Sequence, residues 1–363
     1  MGHGIRQHAP RRFARSRSRQ IFLAPVVAMR FGSPMRILVL GGTVFLSRAV
    51  AAAAVARGHD VTCAARGVSG RVPDGATLVR WDRADEVPAE LKGTPFDAVV
   101  DVSRIPSHVR RAVVAFPGAH WTFVSTINVY ADTATVGGTP ATLALLEPVE
   151  TDEDPASGPE TYGAMKVACE SIVRAGTTAA LVIRPGLIVG PGDPSGRFTY
   201  WPARFAEAAD DGLPVLVPEP VDDPVQLVDV RDLAEWIVTA AEQGTTGDFD
   251  GVCPPLPRAE LLAQVADGAG ADPELVAVAP QALAEHEVNP WSGPRSIPFW
   301  AGDLVDGGFM THDVTSSLAA GLRIRPFADT ARDTLAWLRS TPDAKVTGLT
   351  RAEEQEVLAA VRG

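Results

Sequence analysis

The sequence predicts an α/β fold: a doubly wound parallel sheet followed by a smaller C-terminal lobe. Three observations carry this. From Met35 onward short apolar runs alternate with longer Ala-rich ones, a glycine turn joins the first run to the first Ala-rich stretch, and beyond Pro191 the alternation gives way to Pro-rich linkers. In order, the expected strands are Arg36–Leu40, Asp60–Ala65, Thr77–Arg80, Asp97–Ser103, Trp121–Thr126 and Ala179–Arg184, each an apolar or β-branched run bounded by turn formers. Between the first two lies a helix of Ala, Val and Arg, Ser47–Arg57, stopped by Gly58, where a residue without Cβ best adopts a left-handed cap. Ala131–Glu160, rich in Thr, Gly, Pro and late acids, breaks the rhythm and reads as a long surface loop. Linkers around Pro214–Pro224 and Pro254–Pro257 separate helices at Val230–Glu242 and Arg258–Gly268. Helices at Ala331–Arg339 and Arg351–Val361 close the chain, the last opened by the capping-box pattern Thr350-Arg-Ala-Glu353. Residues 35–190 form the sheet domain, with 225–250 returning to it, and 191–363 mainly form the second lobe.

Composition narrows the classes of function. The chain has 363 residues, of which 46% are hydrophobic and 21% charged, which describes a soluble globular protein. Its longest early apolar run, Ile21–Met29, is nine residues and contains Pro25, too short to cross a bilayer. Thirty-three basic residues face 44 acidic ones; seven of the basic ones lie in residues 1–34, where no acid occurs, so the remainder carries 26 against 44. Such a body repels nucleic acid, and neither a nucleic-acid nor a membrane partner is expected. Residues 1–34 read as a disordered extension ahead of a natural start at Met35. Cys63, Cys169 and Cys253 are far apart, and the seven histidines show no close pair in the folded part, so reduced thiols, a cytoplasmic location and no metal are expected.

The glycine turn, Leu40-Gly-Gly-Thr-Val-Phe-Leu-Ser47, sits where backbone N–H groups and a helix N-terminus meet a dinucleotide pyrophosphate. Gly41, Gly42, Thr43, Phe45 and Leu46 are therefore candidate cofactor contacts. Against a G-x-x-G-x-x-G pattern, Val44 and Ser47 occupy the second and third glycine places, so close approach of the phosphates is hindered at Val44 and helix packing loosened at Ser47. The acid that grips an adenosine ribose belongs at the end of the second strand, which here reads Ala64-Ala65-Arg66-Gly67; Asp60 begins that strand and points away. A guanidinium at Arg66 pairs well with a 2′-phosphate, favouring NADP, with NAD as the alternative. Asp82, after the third strand, is either an adenine contact or a helix N-cap.

The chain has three tyrosines and three lysines, yet one Tyr-x-x-x-Lys pairing occurs, Tyr162-Gly-Ala-Met-Lys166. On a helix this spacing puts both groups on one face, where an ammonium beside a phenol favours phenolate and equips tyrosine for acid/base work. Thr126, ending the segment Phe123-Val-Ser-Thr, lies at the carboxyl end of a strand, where doubly wound folds bind ligands. Ser125 beside it lacks the Gly-x-Ser-x-Gly setting of a hydrolase nucleophile.

Glycine loop, Ser-Thr-x-x-Val-Tyr segment, Tyr-x-x-x-Lys and Arg184-Pro-Gly186 together resemble the extended short-chain dehydrogenase/reductase superfamily, the NAD-dependent epimerase/dehydratase family, over residues 35 to about 250. The resemblance implies a Rossmann domain that binds NAD(P). It implies that Thr126 positions the substrate oxygen and Tyr162 exchanges its proton. It also implies that Lys166 holds the nicotinamide ribose and depresses the tyrosine pKa, that Pro185 and Gly186 border the nicotinamide, and that two sheet-flanking helices form a homodimer. Sugar 4,6-dehydratases of the family follow the corresponding Thr with Asp-Glu, where this chain has Ile127-Asn128; its epimerases carry Asn-Val-Tyr-Gly-Pro where this chain has Leu187-Ile-Val-Gly-Pro191. Gly41-Gly-Thr-Val-Phe-Leu-Ser-Arg48 is closer to a reductase-like subgroup. The reading is an NADP-dependent oxidoreductase acting on a small carbonyl; sugar epimerisation, and a non-catalytic NADP-sensing or RNA-associated protein of the same fold, are the alternatives. Arg197-Phe-Thr-Tyr-Trp-Pro-Ala-Arg204 either lines a pocket or packs the second lobe.

Overall fold

A computed structural model describes residues 33–153 and 159–362, so the extension expected at 1–34 lies, apart from Ser33 and Pro34, outside the described residues. Six sheet strands fall where the apolar runs stand: β1 (Arg36–Leu40), β2 (Asp60–Ala65), β3 (Thr77–Arg80), β4 (Ala98–Asp101), β5 (His120–Val124) and β6 (Ala180–Pro185). After β6 come β7 (Leu187–Val189), β8 (Val215–Pro218), β9 (Pro224–Val225), β10 (Leu227–Asp229) and β11 (Gly247–Gly251). Then follow β12 (Leu256–Pro257) and β13 (Leu275–Val278). The sheet runs β11-β6-β5-β4-β1-β2-β3 with every pair parallel. Its strand order reverses between β1 and β4, and a crevice opens at the carboxyl ends on either side of such a reversal.

Helices cover both faces, as a parallel sheet requires. On one side α1 (Phe45–Ala56) packs beside α5 (Val230–Gln243); on the other α2 (Pro106–Ala115) packs beside α3 (Pro159–Gly176). The strands between them are dry, with Leu38, Val39, Val99, Trp121, Phe123, Leu181 and Ile183 fully buried. α1 starts two residues before the expected Ser47, because the turn completes at Phe45, which itself takes φ +40°. Gly58 closes it at φ +84°.

Gly42 is required by both conformation and space. Its φ is +94°, and a Cβ built there would stand 2.3 Å from Cys63 Sγ on β2. Gly42→Ala is expected to lower stability by about 2 kcal/mol or more, read from urea unfolding. An unchanged midpoint would show that the loop has room to move.

The second lobe has its own core around Phe198, Trp201, Phe205, Leu261 and Val265. It is built from α4 (Tyr200–Asp211), the β8–β13 pair, α6 (Arg258–Ala269), α7 (Pro280–Glu285), α9 (Phe327–Ser340) and α10 (Arg351–Arg362), whereas α8 (Thr315–Ala319) lies against β11. The capping box at α10 forms: Thr350 N–H donates to Glu353 Oε2 at 2.7 Å, and Glu353 N–H to Thr350 Oγ1 at 3.2 Å. Leu318 and Leu322, though late in the chain, pack under the sheet with Trp236 and Ile237 of α5. The described part of the stretch 131–160 is irregular up to the start of α3, with a single bridge between Tyr130 and Leu145.

Candidate active site

Gly41, at φ +132°, donates its N–H to Ala64 O at 2.9 Å and turns the chain from β1 into α1. No side chain caps α1, and its first turn holds no acid, so N–H groups at this helix end are open to an anion. Val44, in the second glycine place, is 40% exposed and lines the cleft beside Leu46. Ser47 is buried and donates from Oγ to Val44 O at 2.9 Å, so the residue in the third glycine place braces the turn instead of opening it. Phe45 faces Gly192 in the loop after β7. Thr43 presents its carbonyl to Gly70, whose missing Cβ lets the β2–β3 loop lie on the glycine turn.

Arg66 is exposed just beyond β2, and Arg80, at the end of β3, donates to Arg66 O at 3.4 Å. Arg80 was not singled out from sequence, although its place at the end of the neighbouring strand was the available signal. Asp60 lies at the opposite end of β2, 3.8 Å from Arg36, away from the crevice as expected. Asp82 is exposed and accepts from Ala84 N–H at 3.0 Å, so one carboxylate oxygen serves a local turn.

The cleft brings together Thr126, Tyr162, Lys166, Pro185 and Gly186 with Val44, Leu46 and Ser47. β5 ends at Val124, two residues earlier than expected, and Thr126 caps the short turn Ile127–Val129: its Oγ1 accepts from Asn128 N–H at 3.3 Å. Tyr162 and Lys166 both lie on α3, and the Tyr162 phenol faces the same cleft as Thr126. Contrary to the expectation from spacing, Lys166 does not depress the Tyr162 phenol. Burial pushes the Tyr162 phenol above its ordinary value, opposed by Thr126 and the Arg104 charge. The Lys166 ammonium instead donates to Ser103 O at 2.8 Å and Val124 O at 2.5 Å and stands 4.4 Å from the centre of the Phe123 ring. Burial brings its pKa down to about 8, opposed by the Asp101 and Glu170 carboxylates.

Behind the cleft lies a buried polar network that sequence reading missed. Arg184, at the end of β6, forms a fork with Glu170 of α3 at 3.0 and 2.8 Å and reaches Tyr130 Oη at 3.1 Å. Tyr130 donates to Asp250 at 2.6 Å, and Asp250 meets His312 Nδ1 at 3.0 Å. These partners are 14 to 120 positions apart, so no local pattern announced them. The network anchors the strand end that carries Pro185 and Gly186. The Arg197–Arg204 segment packs the lobe: Phe198, Tyr200, Trp201 and Arg204 are buried, while the Arg197 guanidinium lies 5.7 Å from the Trp291 ring. Among the described residues no cluster of His, Cys, Asp or Glu is arranged to hold a metal, and no helix is long and apolar enough to cross a membrane.

Residues 37–250 match the sequence profile of the NAD dependent epimerase/dehydratase family. The dTDP-6-deoxy-L-talose 4-dehydrogenase (NAD(P)(+)) of Kitasatospora kifunensis is 32% identical over 187 residues, covering 45% of this chain and 55% of that protein. The match therefore spans about half the length of that relative. A putative epimerase from Burkholderia cenocepacia J2315 aligns over 85% of this chain and 100% of its own, at 19% identity and TM-score 0.59. WbmH of Bordetella bronchiseptica, solved in complex with NAD+, aligns over 85% and 99%, at 18% identity and TM-score 0.54. At such identities the likeness is one of fold.

Proposed function

The chain belongs to the NAD dependent epimerase/dehydratase family, and from that premise we propose that it is an NAD(P)-dependent oxidoreductase that reduces a small carbonyl substrate with Tyr162 as proton donor. The observation that carries this reading is one cleft lined by Thr126, Tyr162, Lys166, Pro185 and Gly186 at the carboxyl ends of β5 and β6. Uncapped N–H groups at the start of α1, with the turn at Gly41, Gly42, Thr43, Phe45 and Leu46, suit a pyrophosphate. When bound, the cofactor supplies the hydride.

The chain's own groups do the rest. Thr126 holds the substrate oxygen, and Tyr162, kept protonated by its burial, gives that oxygen a proton from Oη. Two of the three Lys166 donors are engaged by backbone carbonyls, which leaves one for a ribose hydroxyl. Ile127 is buried, and Asn128 is tied to Thr126, so the two positions that carry an acid and a base in eliminating relatives supply neither. This favours reduction over dehydration. Pro185 and Gly186, which line the cleft, would border the nicotinamide of a bound cofactor, and Asp82 would stand on its adenine side. Residues 191–363 contribute mainly to substrate binding.

Arg66 and Arg80 at adjacent strand ends favour NADP over NAD. Arg66→Glu is expected to lower the ratio of NADPH to NADH affinity by about tenfold or more, measured by fluorescence titration. An unchanged ratio would remove Arg66 from the cofactor site.

The reading is tested by following nicotinamide absorbance with NADPH or NADH over a panel of aldehydes and ketones. Turnover that vanishes in Tyr162→Phe supports it. Sugar inversion by a tightly held nucleotide, without net absorbance change, would replace it with epimerisation.

A further inference from the structure

Asp101 ends β4 at the point where the sheet order reverses, and its side chain is fully buried. A carboxylate in that position needs a compensating partner. Arg83 supplies one, donating to both oxygens at 3.2 and 2.9 Å. Arg83 is held in turn: its guanidinium lies 5.0 Å from the Trp81 ring and donates to His108 O at 2.7 Å, and Arg111 donates to Arg83 O. On its other side Asp101 accepts the Ser103 N–H at 2.8 Å, closing a tight turn. Ser103 Oγ accepts from Ile105 N–H at 3.2 Å, and Ser103 O accepts from Lys166 Nζ at 2.8 Å.

We propose that Asp101, clamped by Arg83, is a positioning residue for Lys166: it fixes the Ser103 carbonyl that receives the ammonium and places a carboxylate on that side of it. The inference rests on the reading of Lys166 given above. The other groups facing Lys166 do not replace Asp101. From α3, Tyr162 is a phenol kept neutral by burial, Cys169 is a thiol that burial pushes up to about 12, and Glu170, whose charge also favours the ammonium, is forked to Arg184 and takes no part in the turn that holds the Ser103 carbonyl. From the loop after β4, Arg104 acts against the ammonium; from β5 come only the Phe123 ring and the Val124 carbonyl. Asp101 is thus the carboxylate that both shapes the turn and opposes the loss of charge on burial.

Asp101→Asn separates charge from shape, because an amide oxygen can still accept the Ser103 N–H. The chain has only three lysines, and Lys92 and Lys345 are exposed, so protein labelled with 13C-lysine gives three signals in a pH titration. The Lys166 midpoint is expected to fall by roughly one pH unit in Asp101→Asn, and the alkaline loss of turnover to begin correspondingly earlier. If the single variant does not fold because Arg83 is left unpaired, Arg83→Met/Asp101→Asn is titrated instead, with a fall of the same sign. A folded variant whose Lys166 midpoint stays in place overturns the proposal. A shifted midpoint in an enzyme that reduces no carbonyl would leave Asp101 in its role and refute the proposed reaction, so the two failures are distinguishable.

Discussion

Tyr162→Phe is expected to reduce turnover by roughly 10²- to 10⁴-fold while cofactor affinity stays within about twofold of the parent. The substitution removes one oxygen from a side chain that is already half-buried and that faces the same cleft as Thr126, so little packing is lost. What disappears is the proton that must reach the substrate oxygen as the carbonyl is reduced. The direction of the phenol's shift adds a pH signature. Burial holds Tyr162 above the ordinary tyrosine value, opposed by Thr126 and Arg104, so the protonated donor is present throughout the neutral range. The Tyr162 proton should therefore not limit reduction until Lys166 itself titrates, whereas oxidation of the corresponding alcohol, which needs the deprotonated phenol, should climb with pH across the neutral range. Initial rates in both directions between neutral and mildly alkaline pH check this. Equal slopes would mean that another group moves the proton.

Arg184→Met is expected to cost about 3–5 kcal/mol of folding stability, the effect of leaving one member of a buried pair without its partner. Arg184 and Glu170 have side chains 1% and 0% exposed, so water cannot replace the lost fork. Burial alone would raise the Glu170 carboxyl, but the Arg184 hydrogen bonds and charge more than offset it and hold the group below the usual carboxylate range. A carboxyl depressed in the folded state stabilises the fold above its unfolded value of about 4.3 and loses that contribution as pH falls through the folded value. The parent should accordingly weaken at acid pH, and Arg184→Met/Glu170→Leu should recover much of the loss, because no unpaired charge then remains in the interior. Urea unfolding of the two variants at neutral pH provides the comparison. A single variant as stable as the parent would show the pair to be dispensable.

The elements that sequence exposed well are those in which one physical demand dominates. β1 is a run of apolar residues because it lies mid-sheet with helices on both faces, and the first helix betrays itself by alanines and by the glycine that ends it. β11 escaped notice because Gly-Asp-Phe-Asp-Gly lacks the apolar pattern of a strand: Asp250 is buried against Tyr130 and His312, and Asp248 pairs with Arg174 at 2.6 Å. Polar residues satisfied by distant partners look like loop residues until the partners are known. The same holds within the site. Tyr162 and Lys166 were legible because helical spacing relates them locally. Asp101 and Arg83 were not, since 18 positions and two strands separate them and only the fold makes them a pair. The immediate surroundings of Lys166 were also beyond spacing, because the carbonyls that receive it come from β5 and the loop after β4.

The central claim is that Tyr162 and a reduced nicotinamide face one another across a single cleft, and the most direct test is a crystal structure of the protein grown with NADPH. The account predicts the nicotinamide against Pro185 and Gly186, with its C4 turned toward the same space as the Tyr162 hydroxyl and its ribose hydroxyl within hydrogen-bond distance of Lys166. A nicotinamide lying outside the cleft formed by Thr126, Tyr162 and Gly186, or one whose C4 is turned away from the phenol, would contradict it.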